Sequence, residues 1–148
     1  VLHIFGSSLP DDSRFLKHIF QALRFGFESH GIDYEPTIKK IGKDIGTNIS
    51  SNFESESLEE LLDEITVFWN KNELGNVKIN NTNPLTIIVD ECFECYFMPT
   101  VDKNLCSFSA GLLEGIITGK TGIDCIIEEI ECRGNGYSHC LYKMIKQH

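Results

Sequence analysis

The chain has 148 residues, the size of one globular domain and too short for two well-cored domains joined by a linker. Apolar residues make up 41% and charged residues 24%, ordinary globular usage that excludes disordered, fibrous and collagen-like classes. With 13 Lys plus Arg against 22 Asp plus Glu the formal net charge is −9, so the chain repels phosphate backbones and anionic lipid, and no nucleic-acid partner is expected.

No apolar run approaches the roughly 18–20 residues of a membrane span, since the longest, such as Leu85–Val89, break within a few residues. The opening Val1-Leu-His-Ile-Phe-Gly6 lacks both an initiator Met and the layout of a secretory signal, so the chain reads as trimmed or as a fragment. Six cysteines without a signal read as reduced thiols or metal ligands, which fits a soluble, cytoplasmic protein.

Pro10-Asp11-Asp12-Ser13 supplies a turn and a cap, after which Phe15, Leu16, Ile19, Phe20, Leu23 and Phe27 recur at helical spacing up to Gly31. A second helix is predicted from Pro36, with Ile38, Ile41, Ile45 and Ile49 as its apolar stripe and Gly42 and Gly46 permitting close packing. Ser57 and Glu60 form a capping-box pattern ahead of Leu58, Leu61, Leu62, Ile65, Phe68 and Trp69, the clearest helix in the chain. The texture then changes to strands: Val77–Ile79, an Asn-rich turn at 80–83, and a run from Leu85 to Met98 closed by Pro99. Helical period returns from Leu105 to Ile117, with Gly111, Gly115 and Gly119 spaced by four as a bare groove. Ile123–Cys132 and Tyr137–Ile145 read as strands joined by Arg133-Gly-Asn-Gly136. The order predicts an α+β domain over residues 1–148, with N-terminal helices on an antiparallel sheet, a glycine-rich helix and a C-terminal hairpin.

Gly115-Ile-Ile-Thr-Gly119-Lys120-Thr121 is not a phosphate loop, because its glycine spacing is short by one and it ends a helix where it should begin one. The histidines are scattered, and no Ser or Cys sits in a recognisable nucleophile setting. Cys92-Phe-Glu-Cys95 has knuckle spacing, yet on a regular strand its thiols would face apart. In the last hairpin Cys132 and Cys140 are equidistant from the turn near Gly136 and fall opposite each other, close enough for a metal or a disulfide. Glu129 continues the apolar face of Ile123, Cys125 and Ile127, where an ionised carboxylate needs a cation, a proton or donors. Cys106 precedes a helix, where the dipole favours a thiolate. Three thiolates and one carboxylate would close a structural zinc shell, the alternative being buried packing cysteines. Parity sets Glu129 and Cys132 on opposite faces, so the shell requires a bulge or early turn at 131–133, and Glu128 and Glu131 stand as rival ligands.

Leu105-Cys106-Ser-Phe-Ser-Ala110-Gly111-Leu-Leu-Glu-Gly115, then Gly119-Lys120 before a strand, then Glu129-Ile-Glu-Cys132-Arg-Gly-Asn-Gly136-Tyr-Ser-His-Cys140-Leu-Tyr142, resembles the 4-vinyl reductase domain family over roughly residues 99–146. That family includes aromatic-sensing input domains of bacterial activators, and its fold is similar to that of transport-particle subunits. The resemblance implies zinc held by Cys106, Glu129, Cys132 and Cys140, with Cys92 and Cys95 outside the pattern and open to a different metal set or a redox role. It also implies an apolar ligand pocket beside the zinc, and a homodimer. Trp69, Phe93, Phe97, Phe108 and Tyr142 are the candidate lining residues, and all five would serve equally as ordinary core. The expected function is a zinc-containing, non-enzymatic binding or sensor domain for a small hydrophobic or aromatic molecule. The alternatives are a reductase or accessory protein acting on a vinyl or tetrapyrrole substrate, and a protein-interaction adaptor.

Overall fold

The computed structural model describes residues 12–96 and 98–146, so the predicted turn at Pro10-Asp11 and the aromatic Phe97 lie outside the described residues. Those up to Tyr34 form one compact unit and those from Glu35 onward a second. In the first unit, helix α1 (Asp12–Ser29) ends on Gly31, whose φ of +70° suits a residue without a Cβ. Within this unit the Arg24 guanidinium lies 4.4 Å over the Tyr34 ring, and Phe27 meets that ring edge-on at 5.6 Å.

Helix α2 (Tyr34–Ile49) does not bury the predicted isoleucine stripe: Ile41 and Ile45 are both 40% exposed. Its buried line is Ile38, Gly42, Gly46 and Ser50, every fourth residue. The reason is the neighbour, helix α4 (Ser107–Thr121), whose backbone comes so close that only glycine fits. A Cβ on Gly42 would lie 2.5 Å from the Phe108 carbonyl oxygen; added to Gly111 or Gly115, it would collide with the carbonyls of Lys39 and Lys43. Helix α4 is buried along Phe108–Ile117, as a helix apolar on all sides must be. Gly119 lies inside it, and the stop falls on Gly122, left-handed at φ +74°.

Helix α3 (Leu58–Lys71) starts where the capping pattern puts it, with the Ser57 side chain accepting from the Glu60 N–H at 3.2 Å. The Glu60 carboxylate returns one residue further back than a strict capping box, accepting from the Glu56 N–H at 2.9 Å. Leu61, Leu62, Ile65 and Trp69 form its buried face, packed on the sheet and on α4.

Strands β1 (Asn76–Thr82), β2 (Leu85–Asp90), β3 (Cys125–Glu131) and β4 (Cys140–Lys146) form one antiparallel sheet in the order β1-β2-β4-β3. The α+β architecture therefore matches the expectation, with boundaries corrected: the Asn-rich stretch read as a turn at 80–83 is strand as far as Thr82, the last strand opens at Cys140 where Tyr137 was expected, and the strand from Leu85 stops early. Strand β2 alternates buried and half-buried residues only as far as Asp90, where Glu91 takes φ +54° and ends it. The chain then folds into a turn, with the N–H groups of Cys95 and Tyr96 donating to the Cys92 carbonyl at 3.2 and 2.9 Å. Residues 91–96 and 98, read from the sequence as strand, thus form a loop beside the start of α4. No helix among the described residues is long and apolar enough to cross a membrane.

Candidate metal centre

Four chain segments converge at the N-terminus of α4. Cys106 is the cap residue of that helix, and Cys92 and Cys95 come from the turn after β2. Cys132 follows β3, in the extended residue ahead of the 3-10 turn Arg133–Asn135, and Cys140 opens β4. Glu129 approaches from β3, whose register slips between Glu129 and Glu131, the irregularity that the odd spacing from Glu129 to Cys132 demands. Glu128 is exposed and Glu131 pairs with His139 Nε2 at 2.7 Å, so of the three neighbouring carboxylates only that of Glu129 falls within the group.

The Sγ atoms lie 3.4 Å apart for Cys92 and Cys106, 3.4 Å for Cys95 and Cys140, 3.5 Å for Cys106 and Cys140, and 3.9 Å for Cys106 and Cys132. Metal–sulfur bonds of about 2.3 Å in a tetrahedron set the sulfurs about 3.8 Å apart, so this is the spacing of a sulfur shell. Cys106, Glu129, Cys132 and Cys140 offer ligand atoms that all lie within 4.8 Å of one another, and so do Cys92, Cys95, Cys106 and Cys140. The sequence reading leaves Cys92 and Cys95 open to a different metal set or a redox role but does not join them to Cys106 and Cys140, because a continued strand turns the two apart. The Cys-x-x-Cys spacing itself is the available signal. The sixth cysteine, Cys125, lies outside both groups, its Sγ 3.7 Å from Thr118 Oγ1.

Backbone donors are already aimed at the site. Leu105 and Gly134 direct their N–H groups at Cys132 Sγ, at 3.3 and 3.4 Å, and the Cys106 N–H donates to Glu129 Oε1 at 3.0 Å. Glu129 Oε2 is buried with no hydrogen-bond partner among the described residues. Burial, reinforced by the Cys132 sulfur, pushes the Glu129 carboxyl up to about 9. Burial also raises the Cys106 thiol, while the adjoining Cys106 sulfur as hydrogen-bond partner draws Cys92 and Cys132 down. Soft sulfur donors, a carboxylate oxygen without a donor and enclosure from water together fit a borderline-soft cation such as zinc. All six cysteines are free thiols.

Of the predicted pocket residues, Trp69, Phe93, Phe108 and Tyr142 occupy core positions. Phe93 and Phe108 meet edge-on at 6.0 Å, Trp69 packs against Phe68 on α3 at 5.9 Å, and the Tyr142 hydroxyl lies 4.0 Å from Cys92 Sγ. A cavity of about 460 Å³ lies elsewhere, between the turn after α2 and α3, with Phe53, Val67 and Phe68 in its wall and Asp63 and Lys71 at its rim.

The sequence model of the 4-vinyl reductase domain matches residues 85–146, a span that contains every residue of both quartets. The uncharacterised protein MJ1642 of Methanocaldococcus jannaschii is 32% identical over 128 residues, which cover 85% of this chain and 74% of that one. Among solved structures, the fold is similar to the phenol-responsive sensory domain of the transcription activator PoxR with phenol, at TM-score 0.69 and 15% identity, covering 94% of this chain and 76% of that one. It is also similar to a trafficking protein particle complex subunit 3 from Naegleria fowleri covalently bound to palmitic acid, at TM-score 0.75 and 16% identity, covering 92% of this chain and 95% of that one.

Proposed function

The chain belongs to the 4-vinyl reductase domain family, and we propose that it is a non-enzymatic, zinc-containing domain that binds a small hydrophobic or aromatic molecule. The observation that carries the metal is Glu129 Oε2, a buried carboxylate oxygen with no donor, set beside the sulfurs of Cys106, Cys132 and Cys140. A buried carboxylate oxygen without a partner is costly, and a cation at that point removes the cost. Those four residues would hold the ion, which when bound supplies a closed, structural cross-link and no open coordination position. Cys106 would fix the start of α4, while Cys132 and Cys140 would pin the two strands of the last hairpin where they flank its turn. The N–H groups of Leu105 and Gly134 hold Cys132 in place as a thiolate, and the Cys106 N–H orients the carboxylate.

For the ligand, support comes from the PoxR sensory domain with phenol and from the palmitic acid on the trafficking subunit, both molecules with a large hydrophobic part on similar folds. Reduced thiols suit the cytoplasm, and a homodimer is the assembly we expect. Native mass spectrometry of chain purified without chelator, with phenol and palmitic acid then titrated in separately, tests all of this together. A zinc-sized increment on every chain, lost in Cys132→Ser, and a saturable mass shift with one of the two probes are expected. A metal-free mass with free thiols refutes the zinc reading, and no binding of either probe refutes the ligand reading.

A further inference from the structure

We propose that the centre takes two divalent ions at once, the second held by Cys92 and Cys95, with Cys106 and Cys140 bridging both. The first ion is the zinc of the preceding reading; the second is a separate site. The two quartets are not rivals spread over a surface. They share one edge, Cys106 to Cys140, whose sulfurs are 3.5 Å apart. Each remaining cysteine of the turn lies against one end of that edge: Cys92 is 3.4 Å from Cys106, and Cys95 is 3.4 Å from Cys140. Glu129 and Cys132 complete the other side. Six donors arranged as two four-cornered shells with a common edge are what a pair of tetrahedral ions bridged by two thiolates requires.

A single ion leaves this arrangement incomplete. With only the Glu129 quartet filled, Cys92 and Cys95 are left outside the shell, each 2% exposed and with its sulfur 3.4 Å from a sulfur of that shell. A thiol is a weak donor and a weak acceptor, so these two would contribute little beyond small apolar volume.

The Cys-x-x-Cys turn is also built in. Between its two cysteines, Glu94 is 4% exposed and its carboxylate accepts from the N–H groups of Phe108 and Ser109 at 3.1 and 2.7 Å and from Ser109 Oγ at 2.6 Å. The turn that carries Cys92 and Cys95 is thereby fastened to the first turn of the helix that carries Cys106. Below it, the Phe93 N–H donates to the Leu74 carbonyl at 3.2 Å. By softness, four thiolates select zinc or its spectroscopic substitutes cobalt and cadmium over harder ions.

The test is a titration of the metal-free, reduced chain with Co²⁺, read by the thiolate-to-cobalt absorption and by electron paramagnetic resonance, with zinc content measured on chain purified without chelator. Two equivalents are expected, with the resonance of the first ion falling as the second enters, because bridging thiolates couple the spins. Cys92→Ser with Cys95→Ser should retain one uncoupled ion. If that variant does not fold, the wild-type titration decides alone. One equivalent overturns the second site and leaves the zinc reading standing. Two uncoupled ions overturn the bridge, no binding overturns both readings, and iron with acid-labile sulfide in the purified chain replaces both with an iron–sulfur centre.

Discussion

Replacing Gly42 with alanine tests whether the helix seam sets the position of the metal centre. The new Cβ would lie 2.5 Å from the Phe108 carbonyl oxygen and 3.1 Å from the Leu112 nitrogen. Relieving the first contact to an ordinary separation of about 3.5 Å requires α2 and α4 to part by about 1 Å. Both clashing atoms are backbone, so no side chain can rotate away, and Gly46, Gly111 and Gly115 on the same seam leave no slack. Overpacking of this kind costs about 3 kcal/mol, offset by about 1 kcal/mol from the better helix propensity of alanine, for a net loss of about 2 kcal/mol. At this chain length that lowers the melting temperature by about 4–8 °C. Phe108 is two residues beyond Cys106, so the same displacement pulls a ligand out of line, and zinc affinity should fall about 10–100-fold. Circular dichroism melting and competition with a chromophoric chelator read the two effects. Gly26→Ala is the control, since nothing lies within 4 Å of its added Cβ and α1 should gain stability. A Gly42→Ala protein as stable as the wild type, with unchanged zinc affinity, would refute the reasoning.

Glu114→Ala removes the contact that ties α4 to both neighbours: its Oε2 accepts from the Ile127 N–H at 2.9 Å and pairs with Lys39 Nζ at 2.9 Å, while Lys39 also donates to the Ile127 carbonyl. Because the lysine is half-exposed and can turn to water, the expected loss is about 2–3 kcal/mol in urea denaturation, below the full cost of stranding a buried charge; a loss under about 0.5 kcal/mol would count against it. Glu64 accepts from the backbone N–H groups of Glu54 and Ser55 at 3.1 and 2.6 Å, and the Glu54 bond above all lowers its carboxyl from the ordinary 4.5. A lowered carboxyl stabilises the fold above its unfolded value and stops doing so as pH falls through the folded one, so the contribution is present at pH 7 and disappears below 4.5. Glu64→Gln should destabilise at pH 7, with the difference from the wild type narrowing as pH falls below 4.5, and parallel stability curves across that fall would contradict this.

Much of the fold is legible in the sequence because burial follows period. The 3.6-residue spacing of Leu61, Leu62, Ile65 and Trp69 and the period-two run Leu85, Ile87, Val89 state their own packing faces. The isoleucine stripe of α2 misleads because hydrophobicity counts side chains, whereas the contact between α2 and α4 is made through their absence at Gly42 and Gly46. The Cys132 to Cys140 approach is legible from the turn, and the odd spacing of Glu129 and Cys132 announces a bulge before any coordinates. The Cys92 and Cys95 placement is not, since a single left-handed residue, Glu91, redirects the chain and leaves no trace in a hydrophobic pattern. Aromatic content likewise states volume but not vacancy: Phe93, Phe108, Trp69 and Tyr142 are packed, and the cavity wall is made by Phe53, Val67 and Phe68.

The arrangement of α4 explains why metal and fold would respond as one. Its length is gripped by α2 through the glycine seam, its middle is bonded to β3 through Glu114, and its first turn is capped by Glu94 and carries Cys106. A helix held at three places has no independent motion with which to relieve the loss of one. Loss of a bound metal would leave a buried group of thiols and a carboxyl without their counter-ion, and the strain would reach the seam and the sheet through the same backbone. The binding free energy would therefore add to the stability of the whole second unit rather than to a local loop. Amide exchange in α2 and β3, which contribute little or nothing to the ligand shell beyond Glu129, should accelerate on chelation along with exchange at the turn of Cys92 and Cys95. Acceleration confined to that turn would mean that the centre is an ornament on a core already complete without it.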